Sequence, residues 1–107
     1  MIEGGFQGKL LKALREHPVL KRGVIWKISD RSTRGIPDVL INVNGETTFL
    51  EIKVWPEKQT KIQKYFFKRL QPHAHLVSFG ASGVIDLDGA VFDFELLVEE
   101  IVKRCVR

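Results

Sequence analysis

The sequence predicts an α/β fold of the α+β kind, a central mixed sheet flanked by helices with elements in the order αβββαβ(β)α. Three observations lead there. Asn44-Gly45 lies between two apolar, β-rich runs, DVLINV (38–43) and ETTFLEIKV (46–54), and an Asn-Gly pair in that setting is the strongest short-range hairpin signal. Three further segments carry apolar residues at helical spacing. Both faces of the hairpin strands are apolar, so helices should cover both sides of the sheet. The 107 residues suit one domain, 1–107, with one core.

Residues 6–16 (FQGKLLKALRE) read as an amphipathic helix, with Phe6, Leu10, Leu11 and Leu14 on one stripe and Lys9, Lys12 and Arg15 off it. His17-Pro18 closes it. GVIWKIS (23–29) is a first strand and residues 31–35 a polar loop, after which Pro37 suits the entry to a strand. The hairpin follows, and Pro56 stops its second strand. QTKIQKYFFKRL (59–70) is a second helix capped near Thr60, with Ile62, Phe66 and Leu70 on one stripe. Leu76–Phe79 and Val84–Leu87 are short strands around a turn at Gly80–Gly83, and residues 92–104 form a final amphipathic helix.

Hydrophobic residues make up 44% and charged residues 28%, as in ordinary globular proteins. No apolar run approaches the ~20 residues that span a bilayer, so no membrane partner is expected. The N-terminus lacks the basic and apolar segments of a signal peptide. The single cysteine, Cys105, cannot form an internal disulfide and belongs to no structural zinc spacing. A cytoplasmic, reducing location is the expectation. Seventeen Lys and Arg against thirteen Asp and Glu give +4, with a pI of about 9.4. That charge is concentrated between residues 57 and 71, where Lys58, Lys61, Lys64, Lys68 and Arg69 face a single acid, Glu57. Such a balance favours a polyanionic partner.

The hairpin sets up the chemistry. If Asn44-Gly45 forms a two-residue turn, Val43 pairs with Glu46 and Asp38 sits opposite Glu51. Opposed Cβ atoms lie ~4.5–5.5 Å apart, close enough for like charges to repel. A longer loop would shift the pairing, and an odd shift would send the two acids to opposite faces. Lys53 shares the face of Glu51 in any register. Two facing carboxylates beside a lysine, flanked by Val, Leu and Ile, need compensation. A hard divalent cation supplies it, and can also activate water and neutralise charge on a phosphate. An ammonium group beside it stabilises the transition state of phosphoryl chemistry. The plain alternative is a loop-capping aspartate and a solvent-facing Glu–Lys pair.

Gly35-Ile36-Pro37-Asp38, followed by Phe49-Leu50-Glu51-Ile52-Lys53, resembles the PD-(D/E)XK nuclease signature. Arg34-Gly35 before it, and Thr60-Lys61-Ile62-Gln63 opening the next helix, resemble the VRR-NUC branch, including its small stand-alone phage and bacterial members. Glu3 and Gln7 resemble that branch's first-helix acid and glutamine. The resemblance spans roughly residues 3–79. It implies a restriction-endonuclease-like core and a phosphodiesterase dependent on Mg²⁺ or Mn²⁺, with no organic cofactor. Asp38, Glu51 and the backbone carbonyl of Ile52 would bind metal, with Glu3 as a further acid. Lys53 would act on the nucleophile side and Gln63 would reach in from the second helix. Stand-alone members resemble Holliday-junction resolvases, which implies a structure-selective endonuclease acting on branched or duplex DNA. Junction cutting needs two sites and so implies a homodimer. In a phage-encoded chain the location would be the host cytoplasm.

Lys61, Lys64 and Lys68 form a stripe roughly opposite the apolar one, suited to holding phosphates without reading sequence. Arg31 and Arg34, in the loop before Asp38, could reach the backbone too. A solvated face is the bland alternative. A second reading of the whole chain is a non-catalytic nucleic-acid-binding accessory protein, which the intact Asp–Glu–Lys set opposes, and a protein-interaction domain is a weaker third. His73 and His75 would share one face of an extended segment, but no third ligand has metal spacing. Trp26 and Trp55 could stack on bases, yet strand tryptophans are expected in the core. Ser78, Ser82 and the histidines form no nucleophile elbow or triad order.

Overall fold

The computed structural model describes residues 3–28 and 35–106, with residues 3 and 4 described by backbone alone. Helix α1 (Glu3–Glu16) leads through a 3-10 turn (Leu20–Arg22) to strand β1 (Val24–Lys27). The hairpin strands β2 (Val39–Val43) and β3 (Glu46–Val54) follow, then α2 (Lys61–Arg69), β4 (Ala74–Phe79), β5 (Ile85–Leu87), β6 (Ala90–Phe92) and α3 (Phe94–Cys105). The sheet runs β1-β2-β3-β4-β5-β6. Strands β3 and β4 pair parallel, joined by the α2 crossover, and the other neighbours pair antiparallel. The chain is thus an α+β domain with a six-stranded mixed sheet and three α-helices among the described residues. None of the described helices is long and apolar enough to cross a membrane.

Local chemistry places the element ends. Pro18 stops α1, and the His17 ring accepts from the Val19 amide at 3.1 Å while its other nitrogen meets Glu99 of α3 at 2.9 Å. Asn44 and Gly45 both take positive φ, 54° and 81°, the mirror-image turn whose twist matches the flanking strands. It sets the anticipated register, Val43 opposite Glu46 and Val39 opposite Leu50.

The C-terminal third differs from expectation. The sequence predicts a single helix over 92–104, but Ala90–Phe92 forms β6, and α3 begins at Phe94 under Asp93, whose carboxylate accepts from the Leu96 amide at 2.8 Å. Asp88-Gly89, at φ 52° and 92°, makes the same turn as Asn44-Gly45. A three-residue strand is too short to show a period, so the turn pair was the legible signal.

Strand alternation divides the sheet into two unequal faces. Val39, Ile41, Val43, Leu50, Ile52, Val54, Val77 and Leu87 line one and are buried beneath α1 and α3, where Phe6, Leu10, Leu14, Leu97 and Ile101 meet them. The other face carries Leu40, Phe49, Glu51 and Lys53, and α2 lies over it without burying any residue of its own. Helices do stand on both sides, but only one side is a packed core.

His75 faces the core side opposite Leu50. Its ring meets Asp88 at 2.7 Å, and Arg104 of α3 donates to the same carboxylate at 2.7 Å, tying β4 to the β5–β6 turn and to α3. His73 is exposed at the end of the preceding loop. Leu50 is fully buried at the centre of this arrangement. Leu50→Ala is expected to cost about 2–5 kcal/mol in urea unfolding, while Val91→Ala, on an edge residue 70% exposed, stays within about 0.5 kcal/mol.

Candidate active site

Residues flanking a two-residue hairpin turn form a hydrogen-bonded pair, and the pairs alternate from there. Val43–Glu46, Ile41–Thr48 and Val39–Leu50 are therefore the hydrogen-bonded positions. Continuing the register puts Asp38 opposite Glu51 at a non-hydrogen-bonded position, where facing side chains come closest. The next hydrogen-bonded position falls on Pro37 opposite Ile52. Proline has no N–H to give, so the Ile52 carbonyl finds no ladder donor there. The Ile52 amide turns instead to the Asp38 carboxylate, 2.8 Å from Oδ2. Asp38 is pinned from the other side as well, because its carbonyl accepts from the Ile28 amide at 2.7 Å.

Gly35 completes the approach. At φ +84° it adopts a conformation that L side chains rarely take, and a Cβ there would come within 3.0 Å of the Ile62 backbone and the Phe66 ring. Glycine alone lets the segment before Asp38 lie against α2.

Glu51 is 1% exposed. Its Oε2 lies 3.9 Å from the Lys53 ammonium and 3.5 Å from the Gln59 amide. Burial pushes the Glu51 carboxyl up from its ordinary value, the charge of Asp38 pushes the same way, and Lys53 and Gln59 offset part of the rise. Asp38 is also raised, first by burial; the Ile52 hydrogen bond and Lys53 oppose this, and Glu57 adds to it. One lysine facing two poorly solvated carboxylates leaves an excess of negative charge. That deficit, together with the Ile52 carbonyl, to which Pro37 offers no N–H, fits a small hard cation. Two carboxylates and a carbonyl are the oxygen donors that Mg²⁺ or Mn²⁺ prefer, with water completing the shell. Among the described residues no cluster of three or more His, Cys, Asp or Glu side chains could hold a metal.

The other anticipated residues divide. Gln63 sits at the start of α2, where its side-chain oxygen accepts from the Thr60 amide at 2.9 Å and Thr60 Oγ1 accepts from the Gln63 amide at 3.2 Å. This is a capping box. The glutamine that reaches Glu51 is Gln59, which the sequence reading did not single out. The Thr60-x-x-Gln63 spacing was the signal that Gln63 had a local partner. Lys61, Lys64 and Lys68 stand exposed on α2, as the periodicity implied. The Glu3 side chain, Arg31 and Arg34 lie outside the described residues. Trp26 and Trp55 were expected in the core, and this is corrected: they are 62% and 60% exposed. Trp26 pairs with Leu40, on the face away from the core, and Trp55 follows the buried Val54.

The chain matches no family model, no curated protein and no solved structure. The site's geometry therefore carries the functional argument.

The raised carboxyls set a pH dependence. The folded protein holds protons that the unfolded chain releases, so stability falls as pH rises from the ordinary carboxylate value to the folded one, and a constant penalty remains above both. Glu51→Gln is expected to stabilise the metal-free protein at neutral pH by about 1 kcal/mol, a shift of several degrees. That advantage should disappear below about pH 4. Calorimetry of both proteins across that range checks it.

Proposed function

We propose that this chain is a metal-dependent nuclease of the PD-(D/E)XK type, with a restriction-endonuclease-like core and closest in pattern to the VRR-NUC branch. It hydrolyses phosphodiester bonds in DNA, selectively in branched structures, and works as a homodimer. The observation that supports this best is the meeting of Asp38, Glu51 and Lys53 on the sheet face away from the core. Structural ion pairs on strands also perturb pKa values, but here two raised carboxyls stand together beside one lysine.

The residues divide the work. The Asp38 and Glu51 carboxylates and the Ile52 carbonyl would hold Mg²⁺ or Mn²⁺, which supplies Lewis acidity toward the attacking water and the phosphate. Asp38 is orientated for this by the Ile52 amide, which donates to its Oδ2. The Lys53 side chain, 12% exposed, presents its ammonium group beside Glu51. There it stabilises the charge that grows on the non-bridging oxygens as water attacks phosphorus and the leaving oxygen departs with a proton. Gln59 steadies Glu51 from the start of the α2 segment. Lys61, Lys64 and Lys68 offset the repulsion between a carboxylate site and a polyanion, and position the backbone without reading sequence.

Labelled linear, flap and four-way junction DNAs incubated with Mg²⁺, Mn²⁺ or EDTA test the reading. Cleavage should need the metal, and Asp38→Asn and Glu51→Gln should each reduce it to background. Lys53→Ala should lower turnover by roughly 10²–10³ while keeping most of the metal affinity. Undiminished cutting in EDTA would refute the metal mechanism.

The lysine stripe gives a separate expectation. With Ca²⁺ replacing Mg²⁺, each of Lys61, Lys64 and Lys68 changed to alanine should flatten the slope of log affinity against log salt by about 0.9 on duplex DNA. Turnover at saturating DNA should change little, because uniform binding acts on affinity more than on the chemical step. An unchanged slope in the triple variant would make this face merely solvated.

A further inference from the structure

Two large aromatic side chains stand in water on the face that carries the carboxylates, and the chemistry above uses neither. Trp26 in β1 pairs with Leu40, which pairs with Phe49. It is therefore level with a position just before Glu51, on the face away from the core. Trp55 comes directly after β3, and its amide continues the parallel ladder by donating to the Phe79 carbonyl at 2.8 Å. Val54 before it is buried on the core side, so alternation turns Trp55 to the side of Glu51 and Lys53. One tryptophan thus precedes the site along the strand direction and the other lies beyond it. The register separates them by ~20 Å at ~3.3 Å per residue. That distance is about six nucleotides at duplex spacing, and fewer in a stretched strand.

An indole stacks on a base only if the base is free of its own stack, so exposed tryptophans match single strands and have little to offer a continuous duplex. The neighbouring helix supplies the matching charge. Tyr65, 54% exposed, stands among the lysines of α2, with the Arg69 guanidinium 5.4 Å from its ring centroid. Aromatic faces set among cations form the usual track for a single strand.

We propose that Trp26 and Trp55 are stacking platforms for unpaired bases on either side of the scissile phosphate, so that the substrate is DNA with a single-stranded segment across the site, as in a flap, a gap or a splayed branch. This rests on the nuclease reading, but it is tested by binding, which can succeed where cleavage fails.

The chain has only these two tryptophans, so intrinsic fluorescence reports from the two proposed platforms alone. The full chain is titrated in Ca²⁺ with an oligo(dT) of about ten nucleotides, within the usual site size, and with a hairpin duplex. Oligo(dT) should quench the emission and the duplex should not. Trp26→Ala and Trp55→Ala should each weaken oligo(dT) binding by about tenfold and leave duplex binding unchanged, with the phenylalanine variants keeping most of the affinity. Both positions are exposed, so the variants should fold normally.

Saturable oligo(dT) binding without quenching would overturn the proposal, as would alanine variants that weaken both ligands equally or neither. Oligo(U) bound more tightly than oligo(dT) would overturn the assignment to DNA. Loss of a dimer in light scattering with unchanged oligo(dT) affinity would make the tryptophans a subunit contact and overturn it too. Quenching and stacking without any metal-dependent cleavage would support the platforms while sinking the nuclease reading; no binding to any DNA would sink both.

Discussion

The turn at Asn44-Gly45 sets the register on which the site depends. Two residues at positive φ close the hairpin, and each pair up the ladder follows from that closure. At the far end the register brings Pro37 opposite Ile52 and Asp38 opposite Glu51. The missing N–H of proline interrupts the ladder at that point, and the Asp38 carboxylate takes the amide that would otherwise bond to backbone. A slip of one residue would turn one acid to the core face and dissolve the arrangement. The chemistry of the site is thus set by a turn at the opposite end of the same two strands.

The sheet's two faces carry opposite burdens. One is apolar and closed by α1 and α3, and it supplies the packing that holds the domain together. The other holds two carboxyls whose burial raises their pKa and therefore costs stability at neutral pH. A ligand of opposite charge would offset such a cost, and the proposed divalent cation has the charge and donor preference to do so. Helix α2 buries none of its residues. Its first turn is closed by the capping box, and Gly35 passes close to Ile62 and Phe66.

Much of this was legible in the sequence because it rests on strong local signals. Asn44-Gly45 gave the hairpin and its register, alternation joined Glu51 to Lys53, and periodicity gave the buried stripe of α1 and the exposed lysines of α2. What was missed depends on tertiary context or on very short elements. Gln59 lies in a loop whose path no period reveals, whereas Gln63 drew attention by position, and its side-chain oxygen accepts from the Thr60 amide. Trp26 and Trp55 were assigned to the core by residue type. The sheet face decides their exposure, and that face was known only once Leu40 and Val54 had been placed. Strand β6 escaped notice because three residues carry no pattern, although Asp88-Gly89 marked its turn.

The central claim, that Asp38 and Glu51 share one divalent cation, is tested most directly by locating the ion. A crystal grown with Mn²⁺ and measured at the manganese absorption edge should give an anomalous peak between the two carboxylates and beside the Ile52 carbonyl, at about 2.0–2.3 Å from the oxygens. The peak should vanish from crystals of the Asp38→Asn variant grown in the same way. Clear density for both acids with no manganese between them, or a manganese peak elsewhere on the molecule alone, would contradict the account.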